Sequence, residues 1–297
     1  MPPDNSIRLA AFDWLREQTT IHGDNLPRTL LEQGFTYHSH RITLLGARGI
    51  WKPKVMQLPL SITTVPNSPY DDGAFSDGSW QYKYRGTDPY HADNVGLREV
   101  MRQKKPLIYF FGIIPGVYVP QWPVFLTQDN MANLSFTMVI EDNISRIVAG
   151  EPVLETAADQ RNYKTVSTIY RLHQRSFREK VMMAYKSQCS LCRLKHRELL
   201  DAAHIIADRE DLGEPIIENG LSLCKIHHAA FDQHILGISP DFIIKVRHDI
   251  LEETDGPMLK YGIQSLNENK IILPSSQKNW PDRDRLAQRF DAFRQVG

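Results

Sequence analysis

All three cysteines of this 297-residue chain fall in one stretch, as Cys189-Ser-Leu-Cys192 and Cys224-Lys-Ile-His227. Two ligands on each of two tight turns is the spacing of a pair of zinc knuckles. A tetrahedral Zn²⁺ takes four N or S ligands, and Cys189, Cys192, Cys224 and His227 supply all of them. Four protein ligands leave no open position for water, so such an ion staples the fold and does no chemistry itself. His228 is then left over beside its ligating neighbour, with His204 and Asn219 a short way upstream.

Read in order, His204, Asn219 and His228 spell His–Asn–His. With Cys189-x-x-Cys192, Asp201-Ala-Ala-His204-Ile205, Glu218-Asn-Gly-Leu-Ser-Leu-Cys224 and His227-His-Ala-Ala-Phe-Asp232, the stretch resembles the HNH (ββα-metal) nucleases of the zinc-stapled McrA-type branch. The resemblance implies a strand over 199–206 that carries His204, a short return strand at 221–223, and a helix over 225–233 that carries His228. It implies His204 as general base, a task suited to a neutral imidazole that titrates near 6.5. It also implies a single Mg²⁺ or Mn²⁺ acting as Lewis acid on the scissile phosphate, with His228 as its ligand from the helix. Ala203 occupies the position before the base where relatives hold a ligand. Asp201, of the same strand parity, is the expected substitute. Asp232 lies one helical turn after His228 on the same face, as a second ligand or an acceptor behind it. Asn219 is expected to brace the loop and orient His204 through backbone hydrogen bonds.

These residues need a scaffold and a route to DNA. Lys and Arg number 35 and Asp and Glu 35, so net charge is zero, but their distribution is uneven. Between Arg161 and Arg197 ten basic residues face one acid, Glu179, a local excess of +9. Such a segment is a phosphate-binding surface in the making, and Arg171, Arg175 and Arg178 are its expected contacts to the DNA backbone. Residues 165–186 read as a basic amphipathic helix, with Ile169, Leu172, Phe177, Val181 and Ala184 on the buried side.

Upstream, helical spacing over residues 7–34 gives way to β texture. Strands are expected at 35–45, 58–64, 80–84, 107–114, 117–126 and 134–140, with turn clusters between them. One helix from Asp93 interrupts them, with Asp93 or Asn94 as N-cap. Such a set predicts a curved mixed sheet closing toward a barrel. Tyr70-Asp71-Asp72-Gly, Tyr82-Lys-Tyr84-Arg-Gly86 and Asn94 resemble the SRA (YDG) domains of the PUA-like barrel class, which hold a flipped 5-modified cytosine. That resemblance implies a pocket in which Tyr70 and Tyr84 stack on the base and Asp71 or Asp72 accepts from its amino group. Thr87-Asp-Pro-Tyr replaces the Gly-Gly that follows the Tyr-x-Gly turn in that family.

The expected class is therefore α+β. A barrel-like domain spans 1–150, a linker and the start of the basic helix span 151–175, and an HNH domain with a C-terminal extension spans 176–297. The tail is expected to add strands at 243–246 and 270–273 and a helix at 282–295, with no recognisable chemistry. The combined resemblances imply a modification-dependent endonuclease of bacterial defence. It would act on double-stranded DNA with modified cytosine, as a homodimer if both strands are cut. The alternatives are an HNH restriction or nicking enzyme that reads unmodified DNA, and a zinc-stapled DNA-binding protein without activity. No apolar run reaches the ~20 residues of a membrane span. Thiols committed to metal and an N-terminus without signal-peptide character point to the cytoplasm.

Overall fold

A computed structural model of the chain describes residues 4–65, 80–140, 158–208 and 210–296. Its contacts divide into two compact units, one up to Leu172 and one from His173 onward.

The first unit contains α1 (Asp4–His22), β1 (Leu26–Pro27), α2 (Arg28–Gln33), β2 (Phe35–Tyr37), β3 (His40–Ile42), β4 (Ile50–Trp51), β5 (Ser61–Thr64) and β6 (Trp80–Lys83). It continues with α3 (Ala92–Arg102), β7 (Leu107–Ile114), β8 (Val117–Asn130), β9 (Ser135–Ile140) and the first part of a long helix, α4 (Ala158–Ala184). The main sheet runs β4-β5-β7-β8-β9-β6, with β1 attached to β8. Among the described residues only β5 and β7 pair in parallel, and α3 lies in the crossover connection between them. The two ends of the path curl toward each other, for Tyr82 on β6 donates its hydroxyl to the Gly49 carbonyl beside β4 at 3.1 Å.

Strand β7 shows why the sheet is two-sided. Its side chains alternate in direction. Leu107, Tyr109, Phe111 and Ile113 join one core, while Ile108 and Phe110 join another that includes Ile7, Ala11, Phe12 and Leu15 of α1. Burial of both faces makes the strand read as a continuous apolar run. Arg8, on the inner face of α1, is fully buried. It donates to the carbonyls of Pro59 and Pro106 at 2.6 and 2.8 Å. Burial lowers its pKa to about 10, which still leaves it charged at neutral pH.

Three details differ from the sequence reading. The strand expected over 35–45 is a hairpin, β2 and β3, because His38 and Ser39 take left-handed φ values of 43° and 64°. A non-glycine turn of that kind leaves no composition signal. Helix α3 is capped by His91, whose Nδ1 accepts from the Asp93 amide at 3.1 Å. Asn94 instead lies buried and pins the preceding loop through the backbone of Arg85 and Asp88. Among the described residues helix α4 covers Ala158–Ala184, so it already includes the seven residues ahead of the expected start.

In the second unit, the rest of α4 is followed by β10 (Leu200–His204), β11 (Gly220–Cys224) and α5 (Lys225–Asp232). After them come β12 (Leu236–Ile238), β13 (Ile244–Val246), α6 (His248–Glu252), α7 (Pro257–Gly262) and α8 (Arg283–Val296). β10 and β11 are antiparallel, with Leu200 opposite Cys224 and His204 opposite Gly220. Phe177, Val181, Met182 and Tyr185 of α4 pack beneath this hairpin, with Leu221, Leu223, Ala230 and Phe231 in the same core. The strand expected at 270–273 is reduced to a single bridge between Ile243 and Lys270.

Candidate metal centre and active site

The turn after α4 carries Cys189 and Cys192, and the junction of β11 with α5 carries Cys224 and His227. Their ligand atoms all lie within 4.8 Å of one another. Cys224 Sγ is 3.2 Å and Cys189 Sγ 3.5 Å from His227 Nδ1. The other ring nitrogen, Nε2, is 2.7 Å from the Gly262 carbonyl, to which it can only donate. The Nε2 proton leaves Nδ1 as a lone pair aimed at the three sulfurs. A carbonyl that fixes the tautomer of a ligating histidine is the usual outer support of such a site. Three thiols and one imidazole are the donor set that Zn²⁺ prefers.

Beside this cluster the hairpin and helix bring His204, Asn219, Asp201 and His228 together. Asn219 is fully buried. Its Oδ1 accepts from the Ile206 amide at 2.9 Å, and its Nδ2 donates to the carbonyls of Ile206 and Glu214 at 3.0 and 3.1 Å. The Asn219 carbonyl accepts from the Ile205 amide at 2.9 Å. Asn219 thus holds the two residues that follow His204.

The His204 ring stacks on Phe177, with centroids 4.1 Å apart and planes inclined by 22°. Its Nε2 is buried without a hydrogen-bond partner among the described residues. Burial lowers the pKa of His204, and His228 acts in the same direction, against the opposing fields of Asp208 and Asp232. The ring is therefore neutral at pH 7, as a proton acceptor must be.

His228 stands between two carboxylates. Its Nδ1 is 3.4 Å from Asp201 Oδ2, and its Nε2 is 3.4 Å from Asp232 Oδ2. Lys225 also pairs with Asp201, at 3.2 Å. Burial disfavours the charged form of Asp201, but Lys225 and His228 outweigh it and hold the carboxyl below its ordinary pKa. Asp201 and Asp232 thus lie on opposite edges of one imidazole. The three expected ligands are brought together in pairs rather than around a single point.

A cleft of about 260 Å³ opens beside Asp201, lined by Gln174, Arg175, Phe177, Arg178 and Ala202. Two of the three arginines expected on the DNA backbone line this cleft. Arg178 also donates to the carbonyls of Arg197 and Leu200, at 3.2 and 2.9 Å. Arg171, in the first unit, bonds within its own helix to Ser167 and Thr168. Of the expected base pocket, Tyr70, Asp71 and Asp72 lie outside the described residues. Tyr84 is a core residue. It is only 2% exposed, its ring packs on Phe136, and its hydroxyl meets Asp129 and Arg98.

Two contributions escaped the sequence reading. Asp208 lies within 4.0 Å of His204 Nε2, on a loop with no periodicity to draw attention to it. The tail, read as chemically silent, reaches the site twice. Gly262 supports His227, and Arg289 of α8 lies 3.6 Å from Asp232 while donating to the Phe231 carbonyl at 3.1 Å. A backbone carbonyl leaves no trace in a sequence. The spacing of Arg289 on α8 gives only an exposed helix face.

Gly220 shows how tightly this arrangement is packed. A Cβ there would lie 2.5 Å from Val181 Cγ2 and 2.9 Å from Phe177 Cε2. Gly220→Ala should therefore displace the ring on which His204 stacks. The expected cost is about 1–3 kcal/mol of stability, with a larger proportional loss of activity. Thermal unfolding and DNA cleavage measured on the same preparation check this.

Residues 189–239 match the family described as HNH endonuclease, and the segment is an HNH endonuclease domain. Over the longer chain, a solved structure described as a modification dependent TagI restriction endonuclease is similar at 15% identity and a TM-score of 0.28. That match covers 80% of this chain and 82% of the other. No curated protein matches.

Proposed function

We propose that the protein is a metal-dependent DNA endonuclease in which His204 is the general base. The observation that carries this reading is a desolvated, neutral His204 held over Phe177 beside the Asp201–His228 pair. Water gives a proton to His204, most directly through Nδ1, since Nε2 is closed to solvent. The hydroxide attacks phosphorus, and the P–O3′ bond breaks. Arg175 and Arg178 line the cleft into which a phosphate would enter, and they supply the charge that attracts it.

The Asp201 carboxylate is a hard oxygen donor of the kind that suits Mg²⁺ or Mn²⁺, and the His228 imidazole is a borderline nitrogen donor beside it. Asp201 and His228 would hold the ion, with Asp232 behind the far edge of the same ring. When bound, it supplies Lewis-acid stabilisation of the scissile phosphate and its leaving oxygen. The ammonium of Lys225 favours the ionised form of Asp201 that such an ion needs. Each domain offers one such site and cuts one strand, so cleavage of both strands requires two copies of the chain.

The finer proposal is that the first unit reads a 5-modified cytosine. Support comes from Tyr70-Asp71-Asp72-Gly followed by Tyr84 and Asn94, which place aromatic and acidic groups together in the chain. Tyr84 then belongs to the core, and base contact falls to Tyr70 and the two acids. The alternative is an HNH enzyme that reads unmodified DNA. The discriminating experiment is cleavage of matched duplexes that carry cytosine, 5-methylcytosine, 5-hydroxymethylcytosine or its glucosylated form. Preference for one modified duplex, lost in an Asp71→Ala, Asp72→Ala double variant, is the expected result. Equal cleavage of all four removes the modified-base reading and leaves the nuclease.

A further inference from the structure

Asp208 lies four residues beyond His204, past the end of β10, with Oδ1 4.0 Å from His204 Nε2. That nitrogen is sealed from solvent and has no hydrogen-bond partner among the described residues. Buried polar groups in folded proteins are nearly always paired, so an orphan of this kind calls for an explanation. Phe177 of α4 covers one face of the ring and offers it no acceptor. Among the described residues, His228 and Asp232 of α5 are the other ionisable groups whose fields reach it, and the two are engaged with each other. Asp208 is the carboxylate placed at the orphan nitrogen itself. His173 of α4 lies close enough to Asp208 to feel its field. A gap of 4.0 Å is too long for a direct hydrogen bond. Catalytic hydrogen bonds are often long before substrate binds and tighten in the complex.

We propose that Asp208 is the positioning residue for His204. It accepts the hydrogen bond of Nε2–H, fixes the tautomer that leaves Nδ1 bare, and steadies the imidazolium formed when Nδ1 takes a proton from water. Nε2 keeps its own proton throughout, and Asp208 remains a carboxylate. The inference rests on the reading of His204 as general base. It goes beyond that reading by assigning the group that prepares the base. It also assigns a role to the loop after β10, which Asn219 anchors at Ile205 and Ile206.

The test compares the full-length, zinc-loaded wild type with Asp208→Asn, Asp208→Glu and His204→Ala on one duplex at saturating Mn²⁺. Asp208→Asn can present its amide nitrogen to Nε2 and favour the wrong tautomer, so kcat should fall roughly tenfold or more. KM, zinc content and melting temperature should stay close to those of the wild type. Asp208→Glu returns a carboxylate and should recover most of the lost kcat. Wild-type kcat in Asp208→Asn overturns the proposal. So does an equal loss in both variants accompanied by a raised KM or lost zinc, which marks a structural role. A wild type that leaves DNA intact, or a His204→Ala variant as fast as the wild type, removes the general-base reading, and the role of Asp208 falls with it.

Discussion

Cys224→Ser should unfold the HNH domain. Cys224 ends β11, pairs with Leu200 across the hairpin and is the N-cap of α5, so it joins both halves of the ββα unit. A structural zinc site contributes about 10–16 kcal/mol of apparent binding free energy. Whole domains are stable by only about 5–15 kcal/mol, so loss of a ligand removes a large part of what holds the domain. Metal analysis should show zinc lost from the variant, and circular dichroism should show that its cooperative melting transition is lost. Prolonged chelation of the wild type should have the same effect. A variant that contains no zinc yet melts like the wild type would show that the cluster does not carry the fold.

His204→Ala should produce the largest loss of activity at unchanged structure. The substitution removes the proton acceptor but no zinc ligand and no donor of the Asp201–His228 pair. General-base catalysis is worth about 10²–10⁴-fold, so kcat should fall by that much while DNA binding and zinc content persist. The pH dependence has a defined sign. Burial lowers the folded-state pKa of His204 below its ordinary value of 6.5. The base form therefore predominates at pH 7, and activity is lost as pH falls through that lowered pKa. A divalent cation nearby shifts the pKa further in the same direction. The acidic limb of the wild-type pH–rate profile should lie below pH 6.5 and be absent from any residual rate of His204→Ala. Retention of near wild-type kcat by His204→Ala would assign the base elsewhere.

How much of this could be read in advance depends on how local each feature is. The cluster of Cys189, Cys192, Cys224 and His227 was legible because two short turns each deliver two of its members, and a tetrahedral ion would demand four. His204, Asn219 and His228 were legible through their resemblance to a motif, and the hairpin register then places His204 opposite Gly220. Strand β7 was legible over its full length because burial on both faces leaves an unbroken apolar run. Asp208 was not, since it belongs to a loop and acts through a single distance. Gly262 acts through its carbonyl, which any residue would provide. The pairing of Asp201 and Asp232 with opposite edges of His228 depends on the orientation of one ring, and spacing along a helix does not determine it. The His38–Ser39 turn was missed for a similar reason, because alternation of residue type runs on through a reversal of the chain.

The central claim is that this fold cuts DNA with His204 and a divalent ion. Its most direct test is incubation of the purified wild-type chain with supercoiled plasmid that carries modified cytosine, in Mg²⁺, in Mn²⁺ and in brief excess chelator, with His204→Ala alongside. Nicked or linear product should form with the wild type in at least one of the two ions, and in neither the chelator nor the variant. Plasmid that stays supercoiled with the wild type in both ions, although the protein is folded and carries its zinc, would contradict the account.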